Sequence, residues 1–416
     1  MSDKRKSIAI IGGGIAGVVT ALFLSRVKDH SGRNLYHITI YESRAKILDG
    51  ASKLLARLHM GGEYPLDGKT ATDCVTGAFL FAQVFPKAIF SEIEGIDYLV
   101  ARDSKKLSVK RLTDQYAKNR ALYARYYHLA KGLGYESLLG DPASLFTELT
   151  EWPANFKGGI RTRELGFDSR RLHLLLKRLI RRTGNIKLHT GQNITGAAIH
   201  QDGYQLFSEN GPPVTANIVI NASWENYYHL DQQVGKSVKP KAVYLRTLGE
   251  ADISHCANKG RPSFALIGEH GGMYSPVTAR RAILYVPSDK ISHIAHCKLD
   301  EINSQVPPNW QSWKAEKWRK KEMHAHMVKL FPHLKKMKIT SLVVRPTLSF
   351  DADLKKRRHA RPFMVRSNWY TIFPTKATFA VWTALETVRL IRPGALGDFD
   401  LETNPVVPAG FLFAEK

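Results

Sequence analysis

The chain opens on an apolar run, Ile8 to Ile11, followed by Gly12-Gly-Gly-Ile-Ala-Gly17 and a second apolar run through Leu24. The first run has the length and branching of a buried strand, the second suits a helix, and the glycines mark the turn between them. Leu35 to Tyr41 reads as another strand and ends in Glu42. Asp49 to Pro65 holds neither period, which predicts a loop and short helix wrapped around a ligand. From about residue 70 to 150 the pattern reads as mainly helical, with Tyr116, Tyr123, Tyr126 and Tyr127 expected in its core.

Asp168 is placed to cap a helix through Arg182, with Leu172, Leu175, Leu176 and Leu179 on its apolar face and Gly184 as its stop. Short strands follow at Ile186 to His189, Ile194 to Ile199, Tyr204 to Phe207 and Ile218 to Ala222, separated by turns at Asp202-Gly203 and Asn210-Gly211. Val243 to Leu248, Ser263 to Ile267 and Ala282 to Val286 read as antiparallel strands, and Trp310 to Leu330 as a basic helix. The chain then returns to a strand at Ile339 to Val344, which Arg345-Pro346 is expected to end. Trp369 to Phe373 is another strand, and Pro374-Thr375 opens a helix from about Lys376 to Ile391.

Gly12, Gly14 and Gly17 stand at the spacing G-x-G-x-x-G, and Glu42 follows 25 residues after Gly17. Strand, glycine turn, helix, strand and acid in that order form a dinucleotide fingerprint: the turn brings backbone N–H groups to a pyrophosphate, and the acid meets ribose hydroxyls. The unpaired amides at the positive end of the helix dipole supply the anion site.

With 416 residues the chain has room for two or three domains, and 44% hydrophobic with 24% charged residues is a globular balance. The apolar N-terminal run belongs to the fingerprint, so it reads as mature structure rather than as a signal segment. Cys74, Cys256 and Cys297 form no C-x-x-C pair, which points to a reducing compartment, with a cytoplasmic location expected. No metal site is expected. The net charge of +24 is spread over Arg170 to Arg182, Lys314 to Lys321 and Lys355 to Arg361. No nucleic-acid motif accompanies it, so solvated faces with peripheral attraction to anionic surfaces are expected.

Four elements together resemble the D-amino-acid oxidase-like family of FAD-dependent oxidoreductases: the fingerprint with Glu42; Arg57-Leu-His-Met-Gly-Gly-Glu-Tyr-Pro65; the block from Leu165-Gly-Phe-Asp168 to Ile220-Asn-Ala-Ser-Trp224; and Trp369 to Thr378. The resemblance implies an α/β fold: a Rossmann-like FAD-binding domain with an inserted, mainly antiparallel-sheet substrate domain. The FAD-binding part is expected at 1–84, 160–238 and 339–416, and the substrate part at 85–159 and 239–338.

By resemblance, Gly12, Gly13, Gly14, Ile15, Ala16 and Gly17 hold the FAD pyrophosphate, and Glu42 with Ser43 the adenosine ribose. Ser52, Arg57, Leu58 and His59 line the flavin, Ile194 meets the adenine, and Ala222 and Ser223 border the cofactor. Thr375, Lys376, Ala377 and Thr378 close over the isoalloxazine, where a helix N-terminus and Lys376 would stabilise charge arriving on the ring. Arg345 resembles the arginine that clamps a substrate carboxylate, Tyr274 would add a hydroxyl to the same pocket, and His59 is a candidate base or attachment point. Two positions depart from the family pattern. Trp224 stands where a glycine is usual, and Phe373-Pro-Thr-Lys376 is nearer the dehydrogenases than the amino-acid oxidases.

The expected activity is oxidation of an amine- or alcohol-bearing carbon in a small anionic substrate, by hydride transfer to flavin N5, with oxygen or another electron acceptor. Two alternatives stay open: a flavin monooxygenase, for which Gly397-Asp398 is the one late Gly-Asp motif, and a divergent flavin-fold protein whose basic surface binds nucleic acid or membrane.

Overall fold

A computed structural model describes residues 5–239, 242–256, 262–266, 271–286, 293–298, 317–349, 361–374 and 376–413. In chain order the first half carries β1 (Lys6–Ile11), α1 (Ile15–Leu24), β2 (Tyr36–Glu42), α2 (Gly68–Val84), β3 (Phe90–Ala101), α3 (Val109–Gly132), β4 (Phe146–Glu148), β5 (Phe156–Phe167) and α4 (Ser169–Arg182). It continues through β6 (Ile186–Thr190), β7 (Ile194–His200), β8 (Gly203–Ser208), β9 (Val214–Ala216), β10 (Ile218–Asn221) and α5 (Tyr227–Gln232). The second half carries β11 (Ala242–Asp252), β12 (Ser263–Leu266), β13 (Gly272–Pro276), β14 (Arg281–Tyr285), β15 (His293–Lys298), α6 (Lys317–Leu330), β16 (Lys338–Ser349), β17 (Phe363–Arg366), β18 (Trp369–Thr371) and α7 (Ala380–Ile391).

The strands form three sheets. A six-stranded sheet runs β17-β18-β10-β1-β2-β6, parallel throughout except for the β17–β18 pair. Ile8 and Ile10 bury on one face of β1 with α1 and α7, and Ala9 and Ile11 bury on the other, against β7 to β9. Burial on both faces explains why β1 and β10 are continuous apolar runs instead of alternating ones. β7, β8 and β9 form the small meander between β6 and β10.

The third sheet has nine strands, order β15-β11-β14-β13-β12-β3-β5-β4 with β16 on β11, and is antiparallel apart from the β12–β3 pair. One face packs into the main core; the other meets α6 through Met323, Met327 and Leu330. The mixed α/β architecture is the one expected, a parallel nucleotide sheet beside a large, mainly antiparallel one.

Several local readings change. The helical stretch expected over 70–150 contains β3, whose partners β5 and β12 lie far along the chain. The short helix expected within Asp49 to Pro65 is a set of turns. Arg345-Pro346 does not end its strand: β16 runs on to Ser349, which Pro346 permits because among the described residues β16 pairs on one side only, with β11. The closing helix starts with a 3₁₀ turn, Ala377–Phe379, before α7. Residues 310–316 of the expected basic helix, and 355–360 of the last basic run, lie outside the described residues.

Candidate active site

The fingerprint turn is built by contact, not by propensity alone. Gly12 has φ +109°, and a Cβ there would stand 2.4 Å from the Ala222 carbonyl oxygen. At Gly17 a Cβ would meet Gly12 O at 2.1 Å, so this glycine sets how closely α1 packs on the turn. At Gly14 only Ser52 Oγ, at 3.5 Å, lies in range, and this glycine borders an open cleft. The cleft holds a cavity of about 280 Å³.

At one end of the cleft, Glu42 is buried at the tip of β2 and accepts from Gly13 N at 2.7 Å and Arg44 N at 2.8 Å. Ser52 Oγ accepts from Ile15 N at 2.9 Å, capping the first turn of α1 from the neighbouring loop. His173 of α4 holds that loop through Nε2 and Ser52 O at 2.8 Å, and burial pulls its imidazole down to about 4. Ser43, Gln192, Asn193 and Ile194 line the same end.

The middle of the cleft is organised around Glu63. Its Oε2 lies 3.0 Å from His59 Nδ1 and 3.2 Å from both Arg57 Nη2 and Lys376 Nζ. Lys376 Nζ also sits 4.5 Å above the Tyr64 ring. Arg57 is buried and donates its other branch to Tyr98 Oη at 3.2 Å, and Tyr98 donates to Glu164 Oε2 at 2.6 Å. Burial pushes the Glu164 carboxyl up from its ordinary value, against the pull of Arg57 and the tyrosine hydroxyls. The amide of His59 donates to buried Thr378 Oγ1 at 3.0 Å, joining the loop to the turn before α7.

The far wall is one face of the nine-stranded sheet, bearing Arg246, Leu248, Met273, Tyr285 and Arg345. Arg345 Nη1 donates to Leu54 O at 2.6 Å and Ala51 O at 3.3 Å, so the wall is tied to the loop opposite. Burial lowers the Arg345 guanidinium to about 10, with Tyr285 opposing and Arg246 assisting. It therefore remains charged at neutral pH.

Most residues expected at the site come together. Gly12, Gly14, Ile15, Ala16, Glu42, Ser43, Ser52, Arg57, His59, Ile194, Ala222, Ser223, Lys376, Ala377 and Arg345 all line this cleft. Gly13 and Gly17 build the turn from behind it, Thr378 is a buried support, and Leu58 turns into the core. Thr375 lies outside the described residues. Tyr274 does not face the pocket. Side chains alternate along β13, so Met273 takes the cleft side while Tyr274 is buried in the second core beside Phe331. Gly397-Asp398 lies beyond α7 and outside the cleft lining. Glu63 and Arg246 had not been singled out; Glu63 follows His59 by four residues within a loop already read as ligand-lining, whereas nothing near Arg246 in sequence marks it.

Trp224 also lines the cleft, with φ +55°, a left-handed backbone that is unusual beneath a bulky side chain. Among the described residues no group of His, Cys, Asp and Glu could hold a metal ion, and no helix is long and apolar enough to cross a membrane.

A βαβ glycine turn, an acid at the end of β2 and a separate large sheet closing the same cleft define a nucleotide-binding α/β protein. The family model for FAD dependent oxidoreductases, DAO, matches residues 7–370, and the chain belongs to that family. Its cofactor is FAD and it is an enzyme of the oxidoreductase class. The glycine oxidase of Geobacillus kaustophilus aligns over 99% of each chain with a TM-score of 0.65 at 12% identity. The L-proline dehydrogenase of P. horikoshii covers 97% of this chain and 96% of its own at TM-score 0.61 and 13% identity. The L-alpha-glycerophosphate oxidase of Mycoplasma pneumoniae, solved with FAD bound, covers 93% and 94% at TM-score 0.61 and 14% identity. At such identities the likeness shows the fold alone. No curated protein matches the chain.

Proposed function

We propose that the chain oxidises an amine- or hydroxyl-bearing carbon in a small anionic substrate held between the flavin and the wall of Arg345. The residues fit FAD: Gly14, Ile15 and Ala16 bring the first turn of α1 to the cleft, and Glu42 stands at the end of β2. Gly12 to Ala16 would hold the pyrophosphate, Glu42 and Ser43 the ribose, and the loop from Ser52 to His59 the ring system. Bound FAD would supply the two-electron acceptor for oxidation of the substrate carbon.

The observation that carries the substrate side is the state of Arg345. Among the described residues both of its hydrogen bonds leave from Nη1 to backbone carbonyls, which leaves Nε and Nη2 for a carboxylate. The two carbonyls fix the guanidinium plane before substrate arrives, so little ordering is left for binding. His59, set against Glu63, is the group we place to take the substrate's proton. Lys376 sits on the other side of Glu63 and adds positive charge beside the ring site.

The test is anaerobic flavin bleaching of the yellow protein with amino acids, N-methyl amino acids, hydroxy acids and phosphorylated alcohols. Arg345→Ala should retain FAD and weaken the reducing substrate at least tenfold. Bleaching by NADPH alone would replace this reading with the monooxygenase one.

A further inference from the structure

The Arg57 guanidinium is shared between two carboxylates, Glu63 in the cleft and Glu164 in the core. Its Nη2 meets Glu63 Oε2 at 3.2 Å, and its Nη1 donates to Tyr98 Oη at 3.2 Å, which donates in turn to Glu164 Oε2 at 2.6 Å. Glu164 is fully buried on β5 and accepts on its other oxygen from Tyr116 of α3 at 3.0 Å, with the Gly62 amide as a further donor. Donors on both oxygens suit an ionised carboxylate, which only accepts. Arg57 is within electrostatic reach of Glu164 as well as of Glu63, so both draw on the same cation. Tyr98 is the bridge between them, and its place is built in. A Cβ at Gly62 would stand 2.4 Å from the Tyr98 ring, and Phe264, opposite Tyr98 in the β12–β3 register, carries the guanidinium 4.5 Å from its own ring centre.

We propose that Tyr98 and Glu164 are positioning residues for the oxidation: Tyr98 keeps Arg57 from closing onto Glu164, and Arg57, so held, fixes Glu63 against His59. The role rests on the reading of His59 as the group that takes the substrate's proton. Without the Tyr98 hydroxyl, Arg57 and Glu164 each lose a hydrogen bond and attract one another directly at low dielectric, which draws the cation away from Glu63. Without the Glu164 charge the pull reverses, and Arg57 settles onto Glu63. His59 shares Glu63 Oε2 with Arg57, so its proton becomes harder to remove in the first case and easier in the second. His59 also faces Tyr64 of its own loop and, across the same Glu63 oxygen, Lys376. Tyr116 is the internal control. It donates to Glu164 as Tyr98 does, but among the described residues only Tyr98 bridges to Arg57.

The experiment follows the His59 ring by NMR through a pH titration of FAD-loaded, histidine-labelled protein, its resonance assigned by its loss in His59→Gln. Tyr98→Phe should raise the proton affinity of His59 about tenfold, Glu164→Gln should lower it, and Tyr116→Phe should leave it at the parent value. Each tyrosine variant removes one buried hydroxyl from Glu164, so a loss of packing or stability alone would move His59 equally in both. Equal shifts in the two tyrosine variants overturn the proposal, as do shifts of the same sign in Tyr98→Phe and Glu164→Gln, or none in either. Should Glu164→Gln fail to fold, the comparison of Tyr98→Phe with Tyr116→Phe decides alone. Protein that takes up no FAD overturns the cleft reading and the role in oxidation with it, whereas a yellow protein with an unshifted His59 overturns the positioning only.

Discussion

The carboxylate of Glu63 stands 3.0 Å from His59 Nδ1 and shares the same oxygen with Arg57 and Lys376. Three basic side chains converge in the middle of the cleft, and one anion holds them together. Removing that anion leaves the buried Arg57 beside two other basic groups. Glu63→Gln is expected to cost about 1–2 kcal/mol, discounted because Glu63 is partly exposed to solvent. Urea unfolding of the FAD-free protein measures this directly. An unchanged midpoint would mean that the convergence is incidental to stability.

Trp224 tests what a left-handed backbone beneath a large side chain costs. Its φ of +55° is a conformation glycine adopts freely and other residues reach at a cost of about 1–3 kcal/mol. Comparing Trp224→Gly with Trp224→Ala isolates the backbone, since both variants lose the indole and only alanine keeps the penalty. The glycine variant should unfold at a higher temperature than the alanine variant, by an amount equivalent to about 1 kcal/mol. Equal stabilities would show that the turn relaxes when the indole goes.

His173 makes the cofactor loop sensitive to acid. Burial depresses its imidazole to about 4, below its ordinary value near 6.5. The folded state therefore disfavours the charged form. Stability is intact above about pH 6.5 and falls as the pH is lowered from there towards 4, by up to roughly 3 kcal/mol for this group. His173→Gln keeps a donor for Ser52 O and removes the titration. Unfolding midpoints at pH 7 and pH 5 should differ less in this variant than in the parent, and an equal difference would assign the acid limb elsewhere.

The nucleotide half of the site was legible because it is local. Turn, helix and acid lie within Ile8 to Glu42, and Gly12, Gly13 and Gly17 there answer to contacts that forbid a side chain. Ile194 and Ala222 were placed by resemblance; the register of β10 beside β1 carries Ala222 back to the turn, and Ile194 at the start of β7 lines the same cleft. The substrate wall was not legible in the same way. Arg246 reaches Arg345 only through a strand register spanning about a hundred residues, and no sequence period encodes that. Tyr274 was misread by one position of alternation, enough to exchange cleft for core. β3 was hidden because its charged residues are paired rather than solvated, as with Asp97, whose carboxylate takes two hydrogen bonds from Arg161 of β5.

Asp231 provides the last test, of how the end of β10 is held at the cleft. It is fully buried, and its carboxylate accepts from Asn221 Nδ2 at 2.8 Å, Trp369 Nε1 at 2.7 Å, Thr371 Oγ1 at 2.7 Å and Ser237 Oγ at 2.7 Å. Burial raises its carboxyl from the ordinary value while these four donors oppose the rise. Asn221 in turn accepts from Ser223 Oγ at 2.6 Å, so one buried anion fixes β10, β18 and the cleft-lining Ser223. Asp231→Asn preserves shape but turns an N–H group towards donors, leaving at least one unsatisfied at a cost of about 1–3 kcal/mol. The loss should appear in urea unfolding, together with weaker FAD binding by fluorescence titration as Ser223 loses its support. Loss of stability with unchanged FAD affinity would confine Asp231 to the sheet and detach it from the cofactor site.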